Sequence, residues 1–388
     1  MMTIFLHADV QDPFGIYNNM LLHHPVYWDE VNKLWAIYSY EACSSILKNE
    51  AAIILDINAN NKDGLNKEAV LAIHDVARLS NGLQHDIARQ AAMFLFDKMK
   101  TVSVDKILTD LLPITHDGFE MDWIGVVCKK LPIQVVVESF EFTQHDCAFI
   151  ASHIDKLVKI MLPNKTQELV QEVNEVTRQI YRLVENHLQQ TKLFEQGIIN
   201  FKEKYSLPED EISSLMISNL IGLMVQCYDA GRGLLGNAVW QDLRLYPIER
   251  VSLTDKALLE KFVVELLRFM PPVHNTRRVS ADDILYNDVI IKKGDTILLM
   301  LAAANRDSKK FALANTFNID RPNNKDNLSF GTGSHGCLAT YFSMQLDVDA
   351  LHFLFTRYKS IRLCTTELAF EPVANARLPK QILLSLSK

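Results

Sequence analysis

The stretch Asn327–Phe342, NLSFGTGSHGCLATYF, admits two readings, and the choice between them decides the fold. In one, Gly331-x-Gly333-x-x-Gly336 has the spacing of a dinucleotide-binding loop. In the other, the glycines clear space around a single thiol, Cys337, with His335 two residues ahead of it. A dinucleotide loop follows directly on a buried strand, and an acidic residue ending a second strand answers it about 20 residues on. Here the preceding residues, DRPNNKDNLSF, are almost wholly polar, and Asp347 and Asp349 come too early, inside a predicted helix. The first reading fails on context.

The second has a physical rationale. A thiolate can serve as axial ligand to haem iron, where it pushes electron density toward bound oxygen. Such a sulfur must be ionised and shielded, which the N–H groups of a glycine-rich turn and a helix N-terminus provide. In this reading Phe330 lies against the ligand side, Gly331 and Gly333 let the backbone pass close to a flat macrocycle, and His335 reaches a haem carboxylate.

The residues then carry a specific resemblance. FGTGSHGCLA, Phe330–Ala339, resembles the haem-binding signature of the cytochrome P450 family, FGxGxHxCxG, with Ala339 where the family usually has glycine. Glu265 and Arg268 in VELLRF resemble the family's ExxR pair, about 70 residues before the cysteine, and Arg321 in FNIDRP falls where bacterial members carry a third residue of that network. At i, i+3 the first two share a helix face and suit a buried ion pair. The run from Arg278 to Asp307 is similar to bacterial members almost throughout, and by that similarity Arg278 points at a haem propionate. LQHDIAR resembles the family's HxRxR pattern through His85 and Arg89, with Ile87 replacing the first arginine. The resemblance covers essentially the whole chain. It implies a mainly α fold with a smaller β portion, one cytochrome P450 domain over residues 1–388, haem b (iron protoporphyrin IX) as cofactor, and Cys337 as its metal ligand.

The family's long central helix usually reads Ala/Gly-Gly-x-Asp/Glu-Thr-Thr/Ser, and its acid–alcohol pair carries protons toward the haem. This chain reads Gln226-Cys227-Tyr228-Asp229-Ala230-Gly231. Asp229 keeps the acid, whereas Ala230 removes the alcohol, and a relay needs donors within hydrogen-bond reach directly or through one water. Three chemistries stay open. A substrate hydroxyl or water replaces the threonine, peroxide replaces reductant and oxygen, or the haem does non-oxidative work. A binding module that recruits an intermediate without turning it over is a fourth. Arg232, three residues past Asp229, suits an Asp–Arg pair. Gln226, His274 and Thr276 are the candidate substrate-pocket residues.

Composition agrees with a globular enzyme. Net charge is −7 without a block of like charges, which argues against a nucleic-acid partner. No run reaches the ~18 apolar residues of a membrane span, and the N-terminal residues lack the basic region of a signal peptide. A cytoplasmic chain is expected. Six dispersed cysteines without a CxxC argue against a disulfide framework or structural zinc. The expected partners are a small-molecule substrate, free or held on a carrier protein, and a ferredoxin-type electron donor, for which Lys98, Lys100 and Lys309-Lys310 are docking candidates.

Periodicity places two short strands and a helix in residues 24–49, a polar irregular stretch over 57–84 that would help shape the pocket, and a largely helical region from Asp86 to about Trp240. Within it one long helix spans roughly Asp210 to Trp240. TDKALLEKFVVELLRFM predicts a helix stopped by Pro271-Pro272. Strand-like runs follow at TRRVS, DVIIKKGDTILLMLAAAN, SIRLC and QILLSLS, with a helix after the cysteine.

Overall fold

VYWD and LWAI alternate as half-buried strands do. Val26–Asp29 and Leu34–Ile37 pair antiparallel, with Trp28 opposite Trp35. In the computed structural model, which describes residues 3–55, 64–112, 118–162, 165–245 and 255–387, these strands open a five-stranded sheet. It continues through Thr296–Leu299 and Thr276–Ser280 to Ala52–Ile53. Leu34–Ile37 runs parallel to Thr296–Leu299, and the sheet's other junctions are antiparallel. Ile284–Tyr286 and Val289–Ile291 form a separate hairpin, whose turn holds Asn287 at φ 50°.

The second sheet corrects one expectation. Phe119–Asp122 is a strand inside the region predicted as helical, paired with Leu383–Ser387, which in turn pairs with Ser360–Leu363. Phe119 and Met121 do alternate with polar residues, but four residues whose partner lies at the far end of the chain leave little local signal. The stretch 57–84 is also more regular than predicted. Residues 56–63 lie outside the described residues, and the remainder forms the helix Lys67–His74 and a short 3₁₀ turn at Ala77–Leu79.

The chain divides into two compact units. The first gathers Met1–Ile53, Val104–Leu131 and Asp229–Lys388, and holds all these sheets. Its helix Lys256–Phe269 starts at Asp255, whose carboxylate accepts from the Ala257 and Leu258 N–H groups, an N-cap that satisfies two otherwise orphaned donors. That helix packs against Thr340–Arg357. The second unit, Ile54–Ser103 and Pro132–Tyr228, is helical. Its Gln167–Gln190 helix buries Val173, Val176, Ile180, Val184 and Leu188, a stripe at three- and four-residue spacing. Lys67–His74, Gln144–Leu157 and Lys192–Tyr205 all pack on this helix. The long helix Glu209–Arg244 begins in the second unit and ends in the first. The architecture is mainly α with a smaller β portion, as the sequence predicts. No described helix is long and apolar enough to cross a membrane.

Candidate active site

The loop before Cys337 is built from left-handed glycines. Gly331 (φ 66°) donates to the Leu328 carbonyl at 2.8 Å, and Gly333 (φ 77°) sits where a Cβ would lie 2.5 Å from the Leu47 carbonyl oxygen. Both conformations favour glycine, and at Gly333 the neighbouring backbone also leaves no room for a side chain. The Gly336 N–H closes a turn onto the Gly333 carbonyl (3.0 Å), and His335 lies inside that turn. The Cys337 N–H then donates to the Phe330 carbonyl at 2.9 Å, tying the cysteine to the start of the loop. Cys337 is exposed and stands three residues before the helix Thr340–Arg357. Ala339 takes φ −88°, a conformation open to any residue, so its departure from the family's glycine costs no backbone strain.

Sequence reasoning missed the loop's anchor. Asn305, fully buried, accepts from the Leu328 N–H (2.7 Å) and donates to the Ser329 hydroxyl (2.8 Å), which itself donates to the Leu267 carbonyl (2.6 Å). Asn305 thus holds the loop to the helix Lys256–Phe269. The signal was an asparagine closing the apolar run ILLMLAAA, where a polar residue needs partners.

The structure brings Glu265, Arg268 and Arg321 into one buried network. Arg268 grips Glu265 with two N–H groups (2.6 and 2.9 Å), and Arg321 reaches the same carboxylate at 3.2 Å. Glu265 and Arg268 are completely buried. One carboxylate cannot neutralise two guanidiniums, so backbone dipoles supply the remainder. Arg268 donates to the Asn305, Ala314 and Thr316 carbonyls, and Arg321 to those of Ala312, Leu313 and Thr316.

Arg278 lies in the strand Thr276–Ser280, where period-2 alternation turns it inward and leaves Arg277 exposed. Its guanidinium donates to the Thr276 hydroxyl (3.1 Å) and the Arg277 carbonyl (2.7 Å). His274, the other expected pocket residue of this segment, lies two residues before that strand. Its ring is fully buried, its Nδ1 is 2.9 Å from the Tyr17 hydroxyl, and it packs against His7 and Phe14. The three rings are apolar enough to draw an imidazole away from open surface, and burial holds it well below its ordinary pKa, hence neutral.

On the first unit's part of the long helix, Asp229 accepts from Arg232 at 2.9 Å, and Arg232 also reaches Glu371 at 3.4 Å. Ala230 follows with no hydroxyl. In the second unit, His85 and Arg89 share a face of the helix Gly82–Lys98, with His85 Nδ1 donating to the Ala77 carbonyl at 2.8 Å. Gln226 donates to the Gly222 carbonyl at 2.9 Å, and Cys227 to that of Met224 at 3.2 Å.

These residues fit a haem. An exposed cysteine at the end of a glycine-rich turn suits a ligand to haem iron, and buried Arg278 has the sign a propionate needs.

The helix behind the cysteine carries an unusual acid. Asp347 is buried, its Oδ1 has no hydrogen-bond partner among the described residues, and burial holds its carboxyl well above the usual range. A raised folded-state pKa means that the folded chain keeps a proton the unfolded chain gives up. Stability from this group is therefore full below the unfolded value of about 3.9 and is lost as pH rises toward the folded value. Asp347→Asn is expected to raise the urea midpoint at pH 8 and to leave it nearly unchanged at pH 4. An equal shift at both values would remove the titration as cause.

Comparison with known proteins agrees with this geometry. The family model described as "Cytochrome P450" matches residues 244–355. The "Biotin biosynthesis cytochrome P450" of Bacillus subtilis (strain 168) is 24% identical over 392 residues, covering 96% of each chain. The structure of P450BioI in complex with hexadec-9Z-enoic acid ligated acyl carrier protein superposes with TM-score 0.79 at 20% identity, over 97% of this chain and 98% of that one. CYP109E1 from Bacillus megaterium in complex with corticosterone gives TM-score 0.74 at 18% identity, over 96% and 98%.

Proposed function

Since the chain belongs to the cytochrome P450 family of haem-thiolate monooxygenases, we propose that it oxidises a bulky small molecule, a secondary metabolite by class, with O2 and electrons from a ferredoxin-type donor in the cytoplasm. Residues 1–388 serve as one haem-binding domain in this reading. The observation that carries it is the Cys337 loop, whose left-handed glycines leave the cysteine exposed with its N–H committed to the Phe330 carbonyl. Haem b would be held through the Cys337 sulfur and would supply the oxygen-activating chemistry. In this reading Phe330, Gly331 and Gly333 would face the ring and Arg278 and His335 would take its carboxylates, while the family pattern also makes His85 and Arg89 carboxylate candidates.

The chain's own contribution to proton transfer is incomplete. Asp229 is an acid in an ion pair with Arg232, and the next residue offers no hydroxyl to pass a proton on. In this reading a substrate hydroxyl or an ordered water takes that place. Neighbours with a carrier-held fatty acid and with a steroid support a large, apolar substrate, free or on a carrier protein. Of the lysines suited to a donor surface, Lys310 is paired with Asp326 at 2.7 Å, which leaves Lys309 the more available of the two.

The test is turnover of a candidate substrate with reduced ferredoxin and O2 against turnover with hydrogen peroxide alone, in the native chain and in Ala230→Thr. Reductant-driven turnover should dominate, with product formed per electron changed less than about twofold by the substitution. Catalytic proton transfer contributes about 10²- to 10⁴-fold. A tenfold gain in Ala230→Thr would therefore mean that nothing had replaced the alcohol, and peroxide-only turnover would point to a peroxygenase.

A further inference from the structure

The first unit contains an open cleft of about 730 Å³ that shares no residue with the Cys337 loop, Arg278 or the Asp229 pair. It lies where the start of the helix Pro13–His23, the last turn of Glu209–Arg244 and the chain around 366–377 approach one another. Three arginines line it: Arg244, Arg306 and Arg377. Arg306 and Arg377 are only 6% and 5% exposed.

Buried guanidiniums normally carry a carboxylate, as Arg268 and Arg321 do here. Arg178, Arg182, Arg232, Arg268 and Arg321 each pair with a carboxylate, whereas Arg244, Arg306 and Arg377 form no ion pair among the described residues. The acids in the cleft are committed elsewhere. Asp12 caps its helix by accepting from the Phe14 and Gly15 N–H groups (3.0 and 3.3 Å), and Glu367 accepts from the Gln11 side chain at 2.6 Å. Arg306 spends its donors on the Phe269 carbonyl and the Asn315 side chain, and Arg377 on the carbonyls of Val10 and Gln11. A guanidinium has five N–H groups, so both retain donors. Burial pushes Arg306 down to about 9 and Arg377 to about 10, with the Asp12 carboxylate opposing the shift at both.

Aromatic rings fix these cations from the side. Arg377 lies 3.5 Å over Phe370, Arg306 lies 3.5 Å over Phe269 and 4.2 Å over Phe14, and Arg244 lies 4.8 Å over Trp240. Stacked faces leave the guanidinium edges as the remaining points of contact, and those edges match a carboxylate or phosphate in two-point geometry. Phe14 and Trp240, which also line the cleft, suit a flat apolar group beside that anion.

We propose that this cleft is a second small-molecule site, which takes an oxyanion, carboxylate or phosphate, carried on a planar apolar body. Its occupant compensates buried positive charge that no ion pair among the described residues neutralises.

The holoprotein should be titrated at constant ionic strength with phenyl phosphate, benzoate and inorganic phosphate, following the melting temperature and the haem absorption together. A ligand bound to the native state stabilises it in a saturable way. Phenyl phosphate or benzoate is expected to raise the melting temperature saturably below about 10 mM, a tenfold margin on the 1 mM scale of weak sites. The haem spectrum should stay constant, and affinity should fall at least fivefold in both Arg377→Lys and Arg244→Gln. Arg244 is exposed, so its variant keeps the test readable should Arg377→Lys fail to fold. No saturation, a shift that survives Arg244→Gln, or a shift that moves the haem spectrum in step would each overturn the proposal. Inorganic phosphate binding as tightly as phenyl phosphate would overturn the planar part of it.

Discussion

Arg268→Ala is expected to yield little folded protein, and what folds should be less stable by about 3–5 kcal/mol in urea denaturation, the usual cost of stripping one partner from a buried pair. Domains hold about 5–15 kcal/mol in total, so this is a large share of the reserve. The cause is what remains behind. Glu265 would keep its charge at zero exposure with only the 3.2 Å contact from Arg321 and the Asn318 N–H, and the Asn305 and Ala314 carbonyls would lose their donor. Arg268→Lys should rescue little, because an ammonium cannot meet both carboxylate oxygens and three carbonyls from one position. The exposed pair Lys261–Asp320 is the control. With side chains 53% and 70% exposed, its removal should change stability by less than about 1 kcal/mol. Equal losses at the two sites would mean that the buried network contributes no more than a surface pair.

Gly333→Ala is expected to abolish the thiolate-type, strongly red-shifted absorption of the reduced, carbon-monoxide-treated protein, and to cost more folding stability than Gly331→Ala, whose Cβ would meet no other part of the chain. Both glycines have positive φ, a conformation that costs an L-residue roughly 1–2 kcal/mol. They differ in their surroundings. A Cβ at Gly331 meets nothing within 4 Å, but one at Gly333 lies 2.5 Å from the Leu47 carbonyl oxygen and 3.3 Å from the Lys48 Cα. Backbone cannot swing aside as a side-chain tip does, so the Gly333 turn must open and carry Cys337 with it. If Gly333→Ala kept the native spectrum, the approach of the two backbones would not be what positions the cysteine.

Much of this was legible in residues. The long helix was expected at roughly Asp210–Trp240 and runs Glu209–Arg244, and the helix ending before Pro271-Pro272 spans Lys256–Phe269. Periodicity and proline act locally, so they read well. The cysteine loop was legible as a glycine-rich turn, but the approach of Gly333 to the Leu47 backbone was not. What stayed hidden depended on distant partners. The strand Phe119–Asp122 is defined by residues 383–386, and the role of Asn305 by a loop more than twenty positions on. His274 beside two prolines gave no sign that it would turn to Tyr17. That the cleft arginines form no ion pair among the described residues was invisible, because a sequence shows charges and not whether they have met.

The parallel junction between Leu34–Ile37 and Thr296–Leu299 has a consequence for how the chain is made. Its two members are about 260 residues apart, and synthesis at ~5–20 residues per second separates their emergence by on the order of ten to fifty seconds. Throughout that interval the early hairpin presents an open, apolar edge that any passing strand can join. A nascent chain of this kind should engage holding chaperones until residue 299 has cleared the ribosome. Truncations ending before that point should precipitate rather than fold, and slow cold-temperature expression should raise the yield by thinning the crowd of incomplete neighbours.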